Sequence, residues 1–388
     1  MLSDLIETRA RLPDSPGPII LFGSGETSPS GQKIFDAVLR RMPLSPRVAL
    51  LETPAGFELN SDRVIGRVEE FLLHNLQNYR PQVVTVPARN RATAYSPDDP
   101  QIIEPIFSAD LVFMGPGSPT YAVRQLHESL AWYSILARHR LGGAIALASA
   151  AVIAISAYAL PVYEIYKVGE ELHWKPGLDF FGVYGLPLVF IPHWNNSEGG
   201  DELDTSRCFM GRQRFARLAE LLPAGVTLIG IDEKTALIID PQEGTCQVTG
   251  SGGVTLIHTG QSHQGASPAS ELEGMGLVEV AENKQGHVHQ FQSMETFSLS
   301  RIGVFHRPSA GSGLPPAIWQ KALSTQAERE KSPEPPAEVL KLVEERQAAR
   351  LRKDWPASDS LRQLIQDYGW QVKDTPAGAK LEPGKGNH

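Results

Sequence analysis

The 388-residue sequence has little cysteine, no long apolar run and no excess of basic charge. Its two cysteines, Cys208 and Cys246, are far apart in the chain, which favours a reducing cytoplasm over a disulfide framework. No stretch approaches the roughly 20 apolar residues that cross a bilayer. The first residues also lack the basic and then apolar blocks of a secretory signal. We therefore predict a cytoplasmic protein with no membrane partner.

The formal net charge of −8 argues against a general nucleic-acid binder. A local basic site stays open, because net charge averages over the whole molecule. The length suits one large α/β domain, or one domain with an appendage, and we find no internal repeat.

Apolar runs alternate with amphipathic helices through the first half of the chain. Strands are predicted at residues 18–22, 47–52, 83–86, 110–114 and 186–191, and shorter ones at 226–231, 235–239, 245–249 and 254–257. This alternation predicts a doubly wound, mainly parallel sheet, which the shorter strands extend in antiparallel fashion. Binding and catalytic sites of such sheets lie beyond the carboxyl ends of the strands.

A strand, a small-residue turn and an apolar helix occupy residues 142–167, and Ser149 lies in the turn. This is the layout of a nucleophile elbow, which lifts a side-chain oxygen above the edge of the sheet. Ser149 is therefore a candidate nucleophile. The alternative is a close contact between helix and strand, since the glycines of G-x-S-x-G are absent.

Other polar residues also follow predicted strands. His193 comes just after the strand at 186–191 and is the best placed of eleven histidines to act as a base, although a structural histidine is the alternative. Glu26 in the Gly23-Ser24-Gly25-Glu26 turn would repel a phosphate, which disfavours nucleotide binding. The histidines His287 and His289 have no third metal ligand at suitable spacing, so we favour an ordinary strand there and predict no metal or cofactor.

The end of the chain differs in composition. Residues 310–336 are rich in Gly, Ser and Pro, as linkers are. Residues 337–388 predict a separate module of two helices and a β-hairpin, too small to be very stable alone. The predicted organisation is thus an N-terminal extension at 1–17, a main domain at 18–309, a linker and this module.

Several motifs together resemble the cyanophycinase and dipeptidase E family of serine hydrolases, which have a class I glutamine amidotransferase-like fold. The motifs are G-S-G-E at 23, G-P-G-S-P-T-Y at 115, A-S-A-A at 148, P-V-Y-E at 161, I-P-H-W-N-N at 191 and G-I-D-E-K-T-A at 230. They come in the family's order, and the resemblance covers roughly residues 18–257.

The resemblance implies a role for particular residues. The implied triad is Ser149 as nucleophile, His193 as base and Glu164 as the acid that orients the base, with the N–H groups of Gly117 and Ala150 as the oxyanion hole. The implied substrate contacts are Arg207, Arg212 or Arg214 on a carboxylate, with Ser118 and Asn195 nearby. Serine needs such a base, and the base needs an acid to fix its tautomer.

This chain departs from the family's usual elbow, G-x-S-A-G, because Leu147 and Ala151 replace the two glycines. Two functions therefore stay open. One is hydrolysis of a peptide or small amide substrate, which includes an isopeptide bond next to an acidic residue. The other is a degenerate protein that keeps the fold without cleaving, and that binds tRNA or a protein partner through its C-terminal module. A homodimer is a further expectation.

Residues 339–383 resemble the extreme C-terminal module of cysteinyl-tRNA synthetases, which is associated with binding the anticodon end of tRNA. The resemblance implies RNA contacts for Arg346, Arg350, Arg352, Lys353, Arg362 and Lys373, and base stacking for Trp355 or Trp370. The alternative is a charged helical hairpin whose acids balance its bases. The H-I-G-H and K-M-S-K-S signatures are missing, so aminoacylation is not predicted.

Overall fold

The computed structural model describes residues 15–43, 45–259, 287–330, 337–375 and 378–383. Residues 1–14 of the predicted N-terminal extension lie outside the described residues. The chain divides into two compact units, Met1–Gln326 and Ala327–His388.

The strands and helices are as follows. The strands are β1 Ile19–Phe22, β2 Arg47–Leu51, β3 Gln82–Val86, β4 Leu111–Met114, β5 Ala144–Ala148, β6 Tyr158–Ala159, β7 Lys175–Pro176, β8 Leu188–Ile191, β9 Thr227–Ile231, β10 Thr235–Asp240, β11 Thr245–Gly250, β12 Gly253–His258, β13 His287–Gln292, β14 Thr296–Ser298, β15 Trp370–Thr375 and β16 Gly378–Pro383. The helices are α1 Pro29–Leu39, α2 Ser61–Asn75, α3 Pro100–Phe107, α4 Pro119–Leu126, α5 Leu130–Arg140, α6 Ala150–Ala154, α7 Gly211–Glu220, α8 Pro316–Glu330, α9 Ala337–Leu351 and α10 Trp355–Asp367.

The main sheet has the strand order β14-β11-β10-β1-β5-β4-β2-β3. Its strands β1, β5, β4, β2 and β3 are parallel to one another, and β10, β11 and β14 continue the sheet beyond β1 in antiparallel fashion. The prediction of a mainly parallel sheet is confirmed, and the predicted antiparallel extension holds for β10 and β11.

Strand β1 shows why both faces of the main sheet are covered. All four of its residues are buried, and successive side chains of a strand point to opposite faces. Ile19 and Leu21 join one apolar cluster, whereas Ile20 and Phe22 join the other, together with Phe35 of α1. A strand buried on both sides reads as a continuous apolar run, which is how it appears in the sequence.

A smaller sheet, β13-β12-β9-β8, stands beside the main one. The prediction placed β8 and its neighbours in a single sheet, and that part is wrong. Strand β8 pairs in parallel with β9, and β9 pairs with β12 rather than with the main sheet. Val189 and Ile191 of β8 pack with Ile153 of α6, so the helix after the elbow fills the space between the two sheets.

Two helices differ from their predicted extent. The predicted linker contains α8, whose Ile318, Trp319 and Ala322 are buried in the core of the first unit. These residues recur at helical spacing, which the Gly/Ser/Pro composition around them conceals. The pattern of residues 204–222 predicts a helix over that whole range, but α7 begins only at Gly211.

The second unit has the predicted elements, with helices α9 and α10 followed by the hairpin of β15 and β16. Its small core contains Val339, Val343, Ile365, Trp370 and Val372. The turn residues 376 and 377 of the predicted hairpin lie outside the described residues.

Candidate active site

Ser149 stands at a strained turn between β5 and α6, with φ 51° and ψ −110°. A left-handed φ at a residue other than glycine costs on the order of 1–3 kcal/mol and persists only where the surroundings enforce it. Here Leu147 is held in the sheet between Leu21 and Met114, and Ala151 is fully buried. The elbow therefore forms without the two glycines, and Ser149 remains partly exposed.

His193 follows β8 directly and also has a left-handed backbone, with φ 52°. Its N–H donates to the carbonyl of Gly23 at 3.1 Å, which ties it to the end of β1 in the main sheet. The imidazole Nε2 lies 2.9 Å from Ser149 Oγ. The two sheets thus bring the predicted nucleophile and the predicted base within hydrogen-bond distance.

The second imidazole nitrogen, Nδ1, lies 2.9 Å from Oε1 of Glu233, in the turn between β9 and β10. A carboxylate only accepts, so Nδ1 carries the hydrogen and Nε2 is left to accept the Ser149 hydroxyl hydrogen. Asn196 Nδ2 also donates to Glu233 Oε1, at 2.9 Å. The hydrogen bond from His193, followed by that from Asn196, lowers the pKa of Glu233 despite partial burial.

Glu164 does not hold this position, so its predicted placement as the acid is wrong. Its Oε1 lies 3.4 Å from Lys175 Nζ. Burial alone would raise the pKa of Glu164, but hydrogen bonds, including those from Thr120 and Lys175, lower it overall. The sequence did carry a signal for Glu233, since it lies in G-I-D-E-K-T-A just beyond the carboxyl end of a strand.

Gly117 and Ala150 provide backbone N–H groups near the elbow. In the described part of the chain, neither N–H donates to a protein acceptor. Gly117 has φ 146°, and a Cβ there would lie 2.0 Å from the carbonyl oxygen of Pro54. Only glycine fits such an approach, so the turn after β4 depends on it. The predicted oxyanion hole stays a prediction, with two unused donors in its favour.

Ser118 and Asn195, predicted as substrate contacts, have structural partners. Ser118 is the N-cap of α4, and its Oγ accepts from the N–H of Tyr121 at 3.2 Å. Asn195 Oδ1 accepts from the N–H of Glu233 at 2.8 Å. Asn195 and Asn196 therefore hold the backbone and the carboxylate of the same glutamate.

The three arginines after His193 turn toward their own segment. Arg207 Nη1 donates to the carbonyl of Trp194 at 2.7 Å, and Arg212 Nε lies 3.5 Å from Asp204 Oδ2. Arg214 donates from Nε to Met210 O at 2.7 Å and from Nη2 to Phe209 O at 2.8 Å. These contacts do not favour the predicted carboxylate clamp.

An open groove of about 590 Å³ begins at Ser118, the residue after Gly117. The groove is lined by aromatic and charged side chains, among them Phe57, Tyr121, Arg124, Tyr163, Glu164 and Lys167. Arg124 lies over the ring of Tyr121 and Lys167 over that of Tyr166, at 5.1 and 4.9 Å from the ring centroids. The same groove also contains two carboxylates, those of Glu58 and Glu164, and Glu164 is paired with Lys175.

Glu26 is a further carboxyl close to the base. Burial raises its pKa, whereas its own backbone hydrogen bond and the nearby His193 lower it.

Across the residues that the structure describes, no group of three His, Cys, Asp or Glu side chains could hold a metal ion. In the same ranges, no helix is long and apolar enough to cross a membrane. The side chain of residue 287 lies outside the described residues.

Two of the predicted RNA contacts are inside the second unit. Arg346 is 2% exposed and Trp370 is 7% exposed, so neither can reach a phosphate or a base. Arg352, Lys353, Arg362 and Lys373 are exposed. Trp355 is 53% exposed, and the Arg350 guanidinium lies 5.6 Å from its ring centroid.

A solved structure shares the α/β fold of this chain. A peptidase from an acI-B1 actinobacterium aligns with a TM-score of 0.53 and 20% identity, over 74% of this chain and 98% of that one. At this identity the similarity establishes the fold, which confirms the predicted fold class. No protein-family model matches the sequence.

Two cysteine–tRNA ligases match a short part of the chain. The enzyme from Methanosarcina mazei is 49% identical over 49 residues, and that from Methanosarcina acetivorans is 45% identical over 60 residues. These matches cover 13% and 16% of this chain. The chain spans only 10% and 12% of the two ligases. Their length is that of a small module, consistent with the predicted C-terminal one.

Proposed function

We propose that this protein is a serine hydrolase of peptide or amide bonds, with Ser149, His193 and Glu233 as its triad. The observation that carries the proposal is the continuous hydrogen-bond chain, 2.9 Å from Ser149 Oγ to His193 Nε2 and 2.9 Å from His193 Nδ1 to Glu233 Oε1. The peptidase with the shared fold supports a peptide as the substrate class.

The geometry suits acyl transfer. His193 takes the hydroxyl proton as Ser149 Oγ attacks the scissile carbonyl, and Glu233 stabilises the imidazolium that forms. The N–H groups of Gly117 and Ala150 are the donors for the tetrahedral oxyanion, and one such donor is worth about 3 kcal/mol. His193 then returns the proton to the leaving amine, and water hydrolyses the acyl-enzyme by the same steps.

Arg124 and Lys167 give this proposal a substrate preference. Both cations line the groove beside Ser118 and rest on tyrosine rings. A substrate carboxylate in the groove would pair with them, which suits an amide or isopeptide bond next to an acidic residue. Replacing both with glutamine should raise KM for acidic peptides far more than for neutral ones.

A fluorophosphonate probe tests the proposal. We expect the wild-type protein to be labelled at Ser149, and Ser149→Ala to abolish labelling. The exposed Ser300 provides a matched control, and Ser300→Ala should label like the wild type. A folded protein that never labels would instead favour the degenerate binding protein.

For the second unit we propose tRNA binding in the cytoplasm. The short matches to cysteine–tRNA ligases and the exposed cations Arg352, Lys353 and Arg362 support it. In the full-length chain, the double change Arg352→Glu and Lys353→Glu should weaken tRNA binding and flatten its salt dependence. Equal binding by the wild type and this variant would contradict the proposal. Light scattering of the same samples tests the expected homodimer.

A further inference from the structure

Three consecutive residues beside the base have a left-handed backbone. Arg207, Cys208 and Phe209 have φ values of 58°, 58° and 68°. None of them is glycine, so this conformation persists only where surrounding contacts hold it. We call Arg207–Phe209 the left-handed segment.

The segment's contacts lead to the base. The N–H of Cys208 donates to the carbonyl of His193 at 3.2 Å, and the N–H of Arg207 donates to the carbonyl of Trp194 at 2.9 Å. The Phe209 ring centroid lies 6.1 Å from that of the His193 imidazole. Each residue of the segment therefore touches His193 or the residue after it.

Arg207 contacts Trp194 through its side chain as well as its backbone. Its guanidinium lies 3.8 Å from the centroid of the Trp194 ring while Nη1 bonds the Trp194 carbonyl. The indole also rests on β9, because a Cβ at Gly230 would lie 2.3 Å from it. Trp194 thus packs against both Arg207 and the strand that leads to Glu233.

This arrangement is costly for an arginine. The side chain is 7% exposed, and its Nε has no hydrogen-bond partner among the described residues. Burial, and after it the nearby Arg212, lowers the pKa of Arg207 to about 10, and Asp204 and Asp232 oppose this shift. A buried charge of this kind is poor evidence for stability alone. The segment that contains Arg207 instead fixes the backbone at His193 and Trp194 through its hydrogen bonds to their carbonyl groups.

We propose that Arg207 is a positioning residue, which holds the His193 imidazole between Ser149 and Glu233 by clamping Trp194 against β9. This inference rests on the proposed triad. A misplacement of about 1 Å in a catalytic group costs about 100-fold in rate, so the clamp acts on the rate of the reaction at Ser149 rather than on substrate affinity.

The test compares Arg207→Met with Arg140→Met in the full-length protein. Arg140 is 2% exposed and donates to the carbonyl of Ser312 at 2.5 Å. It ends α5, before the start of β5, so it lies at the edge of the sheet opposite Ser149. We expect the fluorophosphonate rate constant, per folded molecule, to fall 10- to 100-fold in Arg207→Met and less than threefold in Arg140→Met. Equal rates in the two variants would overturn the proposal.

A readout independent of activity separates this inference from the proposed function. The hydrogen on His193 Nδ1, bonded to Glu233, should give a downfield proton resonance that His193→Gln removes. We expect the resonance to persist in Arg140→Met and to be lost in Arg207→Met. Its persistence in Arg207→Met would overturn the clamp even if the wild type never labels.

Trp194→Phe covers the case in which Arg207→Met does not fold. The smaller ring keeps an apolar contact with β9 but leaves less surface under the guanidinium. The same loss of labelling rate and of the His193 resonance is expected. Wild-type values for both in a folded Trp194→Phe protein would refute the clamp.

Discussion

His193 and Glu233 meet at 2.9 Å although forty residues separate them in the chain. Each follows the end of a strand in the smaller sheet, β8 for His193 and β9 for Glu233, and these two strands are parallel neighbours. Parallel neighbours bring the residues after their carboxyl ends together. The pairing of β8 with β9 is therefore what provides the base with its acid.

Glu233→Gln should reduce fluorophosphonate labelling by about 10²- to 10⁴-fold. The amide can donate to Nδ1, which would move the imidazole hydrogen to Nε2 and leave no acceptor for the Ser149 hydroxyl. Glu164→Gln is the matched control and should stay within threefold of the wild type. Labelling that is lost in Glu164→Gln and kept in Glu233→Gln would instead identify Glu164 as the acid.

Gly117→Ala should slow labelling by about 10- to 1,000-fold. The new methyl group would lie 2.0 Å from the carbonyl oxygen of Pro54, so the turn has to move and its N–H moves with it. Labelling kinetics, corrected for the folded fraction, check the outcome. An unchanged rate in folded Gly117→Ala would remove Gly117 from the oxyanion hole.

Gly66→Ala should raise the free energy of unfolding by about 1 kcal/mol. Gly66 lies inside α2, and a Cβ there meets no atom within 4 Å. Alanine removes the excess backbone entropy of glycine in the unfolded chain. Urea denaturation measures the change, and labelling at Ser149 should not differ from the wild type. A loss of stability would show that α2 does not tolerate a side chain at this position.

Stability should fall with acidification because of His139. Burial, and then the nearby Arg140, lowers the pKa of His139 from 6.5 to about 3 in the folded protein. Between these two values the unfolded chain binds the additional proton, so stability is full above about pH 6.5 and declines as the pH falls toward 3. With each pKa unit worth about 1.4 kcal/mol, the loss from pH 7.5 to 4.5 is on the order of 3 kcal/mol.

Comparing His139→Phe with the wild type isolates this contribution. The histidine ring packs on Phe180 at 5.0 Å and near Tyr184 at 6.0 Å, so an aromatic replacement fits its surroundings. Denaturation at pH 7.5 and pH 4.5 should show a smaller loss in the variant. An equal loss in both proteins would assign the acid sensitivity to other groups.

The sequence predicted the main sheet because its strands are apolar runs with helices between them at regular spacing. It predicted Ser149 and His193 for the same reason, since each directly follows such a run. It did not predict the second sheet, because a strand buried on both faces gives no sign of which sheet it joins. That choice of sheet is what brings Glu233, rather than Glu164, to the imidazole.

The sequence also did not predict the left-handed segment. Residues 207–209 have no glycine, and their charged and apolar types suit a helix, which is what was predicted there. The backbone departs from that preference because tertiary contacts with His193 and Trp194 outweigh local propensity. Likewise, Arg346 looks like a surface residue by type, and its burial follows only from how the two helices and the hairpin pack.

Ser149 follows a strand of the main sheet, His193 follows a strand of the smaller sheet, and Glu233 lies in the turn that joins the two sheets. The proposed reaction therefore depends on how the two sheets pack against each other. A sub-ångström displacement of one sheet relative to the other would separate Ser149 Oγ from His193 Nε2, while the hydrogen bonds within each sheet stayed intact. In a urea titration, turnover should then vanish before far-ultraviolet ellipticity declines. The difference between the two midpoint urea concentrations would measure how strongly the two sheets are held together.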